Sequence, residues 1–104
     1  MEKVACKMQL KPGYEEEYKR RHDEIWPELQ KALKDAGIHD YTIWLERETG
    51  SLFAVQKLEE GHKAGALPDL PVMKRWWEYM KDIMEVNPDN SPVTTSLTKV
   101  FHME

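Results

Sequence analysis

The sequence predicts an α+β fold of element order β-α-β-β-α-β, from three observations. Apolar residues recur at every second position in four segments and at every third or fourth position in two others. Clusters of proline, glycine, asparagine and aspartate separate these segments.

Residues 2–10, EKVACKMQL, put Val4, Cys6, Met8 and Leu10 on one side and Lys3, Lys7 and Gln9 on the other, as in a half-buried strand. Pro12-Gly13 ends it. From Tyr14 the period lengthens, and Tyr14, Tyr18, Ile25, Leu29, Leu33 and Ala36 recur at helical steps until Gly37, a natural residue just past a helix end. Pro27 lies inside this long helix. It lacks an N–H and its ring crowds the preceding turn, so the Asp23 carbonyl loses its partner and the helix must kink or restart at Trp26-Pro27. Alternation returns in DYTIWLE, with Tyr41, Ile43 and Leu45 opposite Thr42, Trp44 and Glu46. RETGS is a turn and LFAVQKL a third strand, so residues 41–58 read as a hairpin. Residues 61–70 carry a short helical turn and a loop containing Pro68. Pro71 suits the first turn of a second helix, with Val72, Trp76, Met80 and Ile83 on one stripe, flanked by Met73, Trp77 and Met84. NPDNSP at 87–92 stops it, and VTTSLTKVF is the fourth strand. This order is the ferredoxin-like arrangement, two helices on one face of a four-stranded antiparallel sheet. Apolar and aromatic residues on both sides of residues 41–58 ask for a cover on the other face. A second subunit packed sheet on sheet, giving a symmetric dimeric α+β barrel, would supply it.

Residues 1–104 are expected to form a single domain, able to bury an ordinary core without much surplus. The formal net charge of -4 argues against a nucleic-acid phosphate backbone as partner, and Lys19-Arg20-Arg21, bracketed by acids, reads as a solvated helical face. One cysteine cannot form an internal disulfide, and the first residues show no basic and apolar leader pattern, so the cytoplasm is expected. No apolar run approaches the ~18 residues of a membrane span. Six methionines, four tryptophans and four tyrosines imply an irregular core or an aromatic-lined cavity.

With about 100° per helical residue, Tyr18, His22, Ile25 and Leu29 share one stripe with His22 near its middle, so the imidazole should face the sheet. A hydrogen-bonded core histidine is the plain alternative. The company of Tyr18 and other aromatic residues favours acid-base work near neutral pH, with the phenol orienting either the ring or a hydroxyl-bearing ligand. Adjacent Trp76 and Trp77 diverge on the helix, so one packs while the other walls a pocket, or the two span a groove edge. Tyr41 is core or rim, or a ligand contact if the pocket opens at its end of the strand. Aromatic walls with convergent hydroxyl, imidazole and indole groups suit a small polyhydroxylated ligand. His22, His39, His62 and His102 show no metal-ligand spacing, and no nucleotide-binding or catalytic-triad pattern is present.

The stretch EYKRRHDEIWPELQKAL, the doublet in RWWEYM and the turn NPDNSPV together resemble the L-rhamnose mutarotase family over nearly the whole chain. The resemblance implies a small cytoplasmic homodimer that interconverts the α and β anomers of L-rhamnose without a cofactor or metal. It further implies that His22 is the proton donor and that Tyr18, Tyr41, Trp76 and Trp77 contact the sugar. The base for the anomeric hydroxyl is not evident and could be a carboxylate, a tyrosine or a water. Two other functions fit the same architecture: a cofactor-free monooxygenase, and a non-catalytic module that binds a small molecule. The absence of a basic segment or DNA-binding helix pair speaks against a sensor of the second kind.

Overall fold

The computed structural model describes residues 1–104. The elements run β1 (Glu2–Gln9), α1 (Glu15–Asp23), α2 (Pro27–Asp35), β2 (Ile38–Glu46), β3 (Ser51–Leu58), a 3-10 turn (Ala64–Asp69), α3 (Pro71–Met80) and β4 (Thr95–Leu97). The strands form one antiparallel sheet in the order β2-β3-β1-β4. The expected element order and sheet class are therefore observed, with the first helix in two pieces.

That break follows from proline chemistry. Trp26 sits in an extended conformation, φ -63° and ψ 131°, because a residue before proline is driven out of the helical region. Pro27 then opens α2 at its first position, where no N–H is required. Of kink and restart, the chain takes the restart. The stripe expected to continue through Ile25 is cut, and Ile25 is only half-buried.

Cys6, Met8, Leu52, Ala54 and Leu58 face the helices, and the fully buried Leu10, Leu29, Leu52 and Ile83 form the centre of the core. The opposite face carries Thr42 against Val55 and Trp44 against Phe53, with Trp44 56% exposed. A β-bulge between His39 and Thr42 holds Asp40 at φ +47°, a region that aspartate tolerates better than most residues. Its extra residue changes the strand's parity. Ile38 and Tyr41, which simple alternation would send to opposite faces, both turn toward the helices.

β4 is shorter than expected. The turn over Asn87–Pro92 commits the Val93 N–H to the Glu85 carbonyl at 3.2 Å, so pairing with β1 begins only at Thr95 and ends at Leu97. The segment beyond Leu97 leaves the sheet edge, with Val100, Phe101 and Met103 between 78% and 92% exposed.

Gly37 ends α2 at φ +90°, and a Cβ there would lie 2.7 Å from Glu59 Cγ and 3.0 Å from His62 Cβ. Its carbonyl accepts the Glu59 N–H at 3.0 Å, and the neighbouring Ala36 carbonyl accepts that of Lys63 at 2.8 Å. Gly37→Ala therefore combines left-handed strain with a clash at a tied-down loop. It should destabilise the protein by about 1–3 kcal/mol, read as a lower urea midpoint in a denaturation series; an unchanged midpoint would show that Glu59 yields freely.

Candidate active site

Tyr18 and His22 lie one turn apart on α1, and their rings meet at 4.3 Å between centroids. The imidazole then meets Trp76 of α3 edge-on at 5.4 Å and an interplanar angle of 90°. Trp76 contacts Trp26 at 5.1 Å, Trp26 stacks on Tyr79 at 5.6 Å, and Trp76 touches Tyr79 at 5.7 Å. The result is an aromatic cluster between α1 and α3 with a single titratable ring nitrogen available for chemistry.

Which nitrogen that is follows from the hydrogen bonding. His22 Nδ1 lies 3.0 Å from the Tyr18 backbone carbonyl, and a carbonyl can only accept, so Nδ1 keeps its hydrogen whether the ring is neutral or charged. Nε2 is the nitrogen that titrates. It has no partner in the protein, and neither has the Tyr18 hydroxyl. No fully buried side-chain polar atom lacks a hydrogen bond, so both of these atoms keep at least some solvent contact. Burial pushes the His22 pKa below its ordinary value of 6.5, outweighing the Tyr18 carbonyl and the Asp23 carboxylate, which act the other way. The neutral imidazole is thus the resting form at pH 7.

Tyr41 approaches the same space from β2. The residue is 40% exposed overall, and burial raises its pKa against the opposing effect of the Gln56 side chain. Burial raises the Tyr18 phenol further. Both phenols remain protonated hydrogen-bond donors at neutral pH. The Cys6 thiol, also raised by burial, bears electrostatically on both, which locates it under them on the helix-facing side of β1.

Ring contacts therefore link Tyr18 to His22 and His22 to Trp76, and Tyr41 bears electrostatically on Tyr18. Trp77 does not join these ring contacts; it is half-buried and packs against the main core. His39 is paired with Glu59 at 2.7 Å, and His62 accepts the Ala64 N–H at 3.2 Å. No three His, Cys, Asp or Glu side chains gather closely enough to hold a metal ion. Two open surface depressions lie elsewhere, one between Met1-Glu2 and Leu58–His62 and one along the outer face of α2. Neither contains any member of the aromatic cluster, and neither presents a comparable set of groups.

Arg20 and Arg21 were both expected to face solvent, and Arg21 does not. Arg20 pairs on the surface with Glu17 and Glu24. Arg21 is buried, its guanidinium 4.4 Å from the Tyr79 ring centroid and bonded to Asp82, because the short α1 ends beside the C-terminus of α3. Sequence reasoning also passed over Trp26 and Tyr79. Tyr79 stands three residues after Trp76, a spacing that places the two side by side on a helix, so that signal was present. Trp26 gave none beyond its position before a proline.

Comparison with known proteins identifies the family and the fold. The model of the L-rhamnose mutarotase family matches residues 3–103. The chain is 57% identical over 103 residues to an L-rhamnose mutarotase of Acidiphilium cryptum, covering 99% of each chain. It is 52% identical over 104 residues to one of Phocaeicola vulgatus, covering all of both. The crystal structure of an L-rhamnose mutarotase from Formosa agariphila superposes with a TM-score of 0.93 at 47% identity, over the full length of both chains. A matched length of this extent, with the fold reproduced end to end, establishes that the chain belongs to the L-rhamnose mutarotase family.

Proposed function

We propose that the protein interconverts the α and β anomers of L-rhamnopyranose by proton transfer at His22, and that residues 1–104 act as a single mutarotase domain. The observation that carries this reading is the unpartnered Nε2 of His22, held in one tautomer by the Tyr18 carbonyl with the Tyr18 ring 4.3 Å away. The family match favours it over an oxygenase or a non-catalytic binding module.

Ring opening transfers the O1 proton to a base, breaks the C1–O5 bond and delivers a proton to O5. His22 is the proton donor to O5. Because burial keeps it neutral at rest, the proton it gives is one that Nε2 has first taken from the anomeric hydroxyl. This supplies the base left unassigned by the sequence. After rotation about C1–C2, O5 attacks the other face of the aldehyde and the same transfers run in reverse. The protonated hydroxyls of Tyr18 and Tyr41 orient the sugar, and Trp76 and Trp77 bound it, Trp76 through its ring edge. Proton transfers alone complete the cycle, so the reaction is proposed to run without a cofactor.

The outer sheet face, with Trp44 56% and Leu97 41% exposed, and the uncovered Val100 and Phe101 support a homodimer closing sheet against sheet. No helix is long and apolar enough to cross a membrane. A cytoplasmic location is part of the same proposal.

Saturation transfer between the two anomeric proton signals of L-rhamnose tests the activity, and the absence of enzyme-dependent exchange would end it. Run against pH, the same measurement tests the resting form of His22. Activity requires the neutral ring, so the rate should hold on the neutral side and fall on an acid limb with its midpoint below 6.5. Stability has the same sign: the unfolded chain binds this proton more readily, so the contribution of His22 is present above about pH 6.5 and is lost as pH falls through the lower folded value. An acid limb centred at or above 6.5 would show that burial does not lower the His22 pKa, and one centred above 7 would make the charged ring the resting form.

A further inference from the structure

We infer that Arg21 is the positioning residue of this site: its guanidinium locks α1 to the C-terminal end of α3 and so fixes where the His22 ring stands. The inference rests on the function proposed above.

α1 needs such a lock. It is nine residues long and separated from α2 by the proline restart, and only Tyr18 and Arg21 on it are buried. A helix this short is marginal by itself. No other element runs closely alongside its backbone, whereas α2 packs on α3, on β2 and on the 3-10 turn. The hold on α1 therefore comes through side chains.

Arg21 makes most of that hold. Nη1 donates to the Tyr79 carbonyl at 2.6 Å and to Asp82 Oδ1 at 2.9 Å, and Nη2 donates to Asp82 Oδ2 at 3.3 Å. Nε donates to Glu17 Oε2 at 2.7 Å on its own helix. Tyr79 lies in the last turn of α3, where carbonyls lack intrahelical partners and carry the negative end of the helix dipole, a natural seat for a cation. The same guanidinium lies over the Tyr79 ring at 4.4 Å.

These contacts close a circuit through the active site. Tyr79 stacks on Trp26 and touches Trp76, Trp76 meets the His22 ring, and His22 follows Arg21 in the chain. Successive helical residues point ~100° apart, so pinning Arg21 in one direction sets the direction in which His22 projects. Four of the guanidinium's N–H groups are engaged within the protein, so its effect on the sugar acts through His22. Lysine cannot replace it: an ammonium has neither the planar fork that spans a carbonyl and a carboxylate nor a flat face for the Tyr79 ring.

The test compares wild type, Arg21→Lys and Asp82→Asn by anomer-exchange rate at saturating L-rhamnose, sugar Kd by NMR titration, and thermal melting. Misplacing a reacting group by ~1 Å costs on the order of 10²-fold, so Arg21→Lys should lose about tenfold or more in rate. Its sugar Kd should stay within about threefold, because Arg21 does not touch the sugar. Asp82→Asn keeps the shape and removes the charge, and should lose about two- to fivefold. A folded Arg21→Lys protein with wild-type rate at saturation overturns the inference, as does a loss confined to Kd or to the folded fraction. Should Arg21→Lys fail to fold, the exposed Asp82→Asn decides, a wild-type rate overturning the inference. Wild-type protein without exchange would sink the mutarotase reading instead. The His22 Cε1–H chemical shift then decides the positioning role, which an unchanged shift in both variants overturns.

Discussion

His22→Ala is expected to lower L-rhamnose anomer exchange by about 10²–10⁴-fold at neutral pH, the usual contribution of a positioned acid-base group. Two features make the effect large. Nδ1 is tied to the Tyr18 carbonyl, so the ring presents Nε2 alone, in a fixed orientation, to whatever occupies the open space. No other group within that space titrates near pH 7: both phenols and the Cys6 thiol are shifted upward by burial and stay protonated. Nothing nearby can take over the proton. The substitution also removes an edge contact with Trp76, costing on the order of 1 kcal/mol, so the variant should fold and melt a few degrees lower. Saturation-transfer NMR with a parallel thermal melt separates the two effects. A folded His22→Ala protein with wild-type exchange would move the chemistry to another residue.

The parts of this site that sequence could reach are those governed by period. Tyr18 and His22 share a face because they are four residues apart, and Tyr41 reaches them because alternation from Ile43 fixes its side. Even there a tertiary feature intervenes, since the bulge at Asp40 is what lets Ile38 and Tyr41 share that face. Arg21 was illegible for a different reason. On an isolated helix an arginine beside glutamates is a solvated residue; only the approach of the α3 C-terminus, with the Tyr79 carbonyl and Asp82, gives its charge a buried seat. The late start of β4 was likewise set by a hydrogen bond that ties Val93, the first residue of the alternating stretch, back to Glu85 before the turn. Local periodicity therefore placed Tyr18 on a buried face, and missed the break before Pro27 and the meeting of two helix ends that buries Arg21.

Trp76→Ala should produce the largest loss of stability among the site residues. Periodicity left Trp76 and Trp77 interchangeable as anchor and wall, and burial now separates them. Trp76 is 8% exposed and touches His22, Trp26 and Tyr79, so truncation leaves a cavity bounded by three rings on three segments of chain. Replacing a buried tryptophan by alanine costs about 3–5 kcal/mol, a large fraction of the ~5–15 kcal/mol that holds a typical domain folded. For a chain of this length that corresponds to a melting temperature lower by ~12 °C or more. Trp77, half-buried and outside the ring contacts, should cost about 1–2 kcal/mol when truncated. Sugar titrations of the folded fraction complete the assignment. Because Trp76 positions His22, Trp76→Phe, which keeps a ring in the cluster, should recover much of the melting temperature and part of the exchange rate. A Trp76→Ala protein that melts within about 3 °C of wild type but binds the sugar weakly would instead make this indole a wall of the pocket and leave the anchoring to Trp26 and Tyr79.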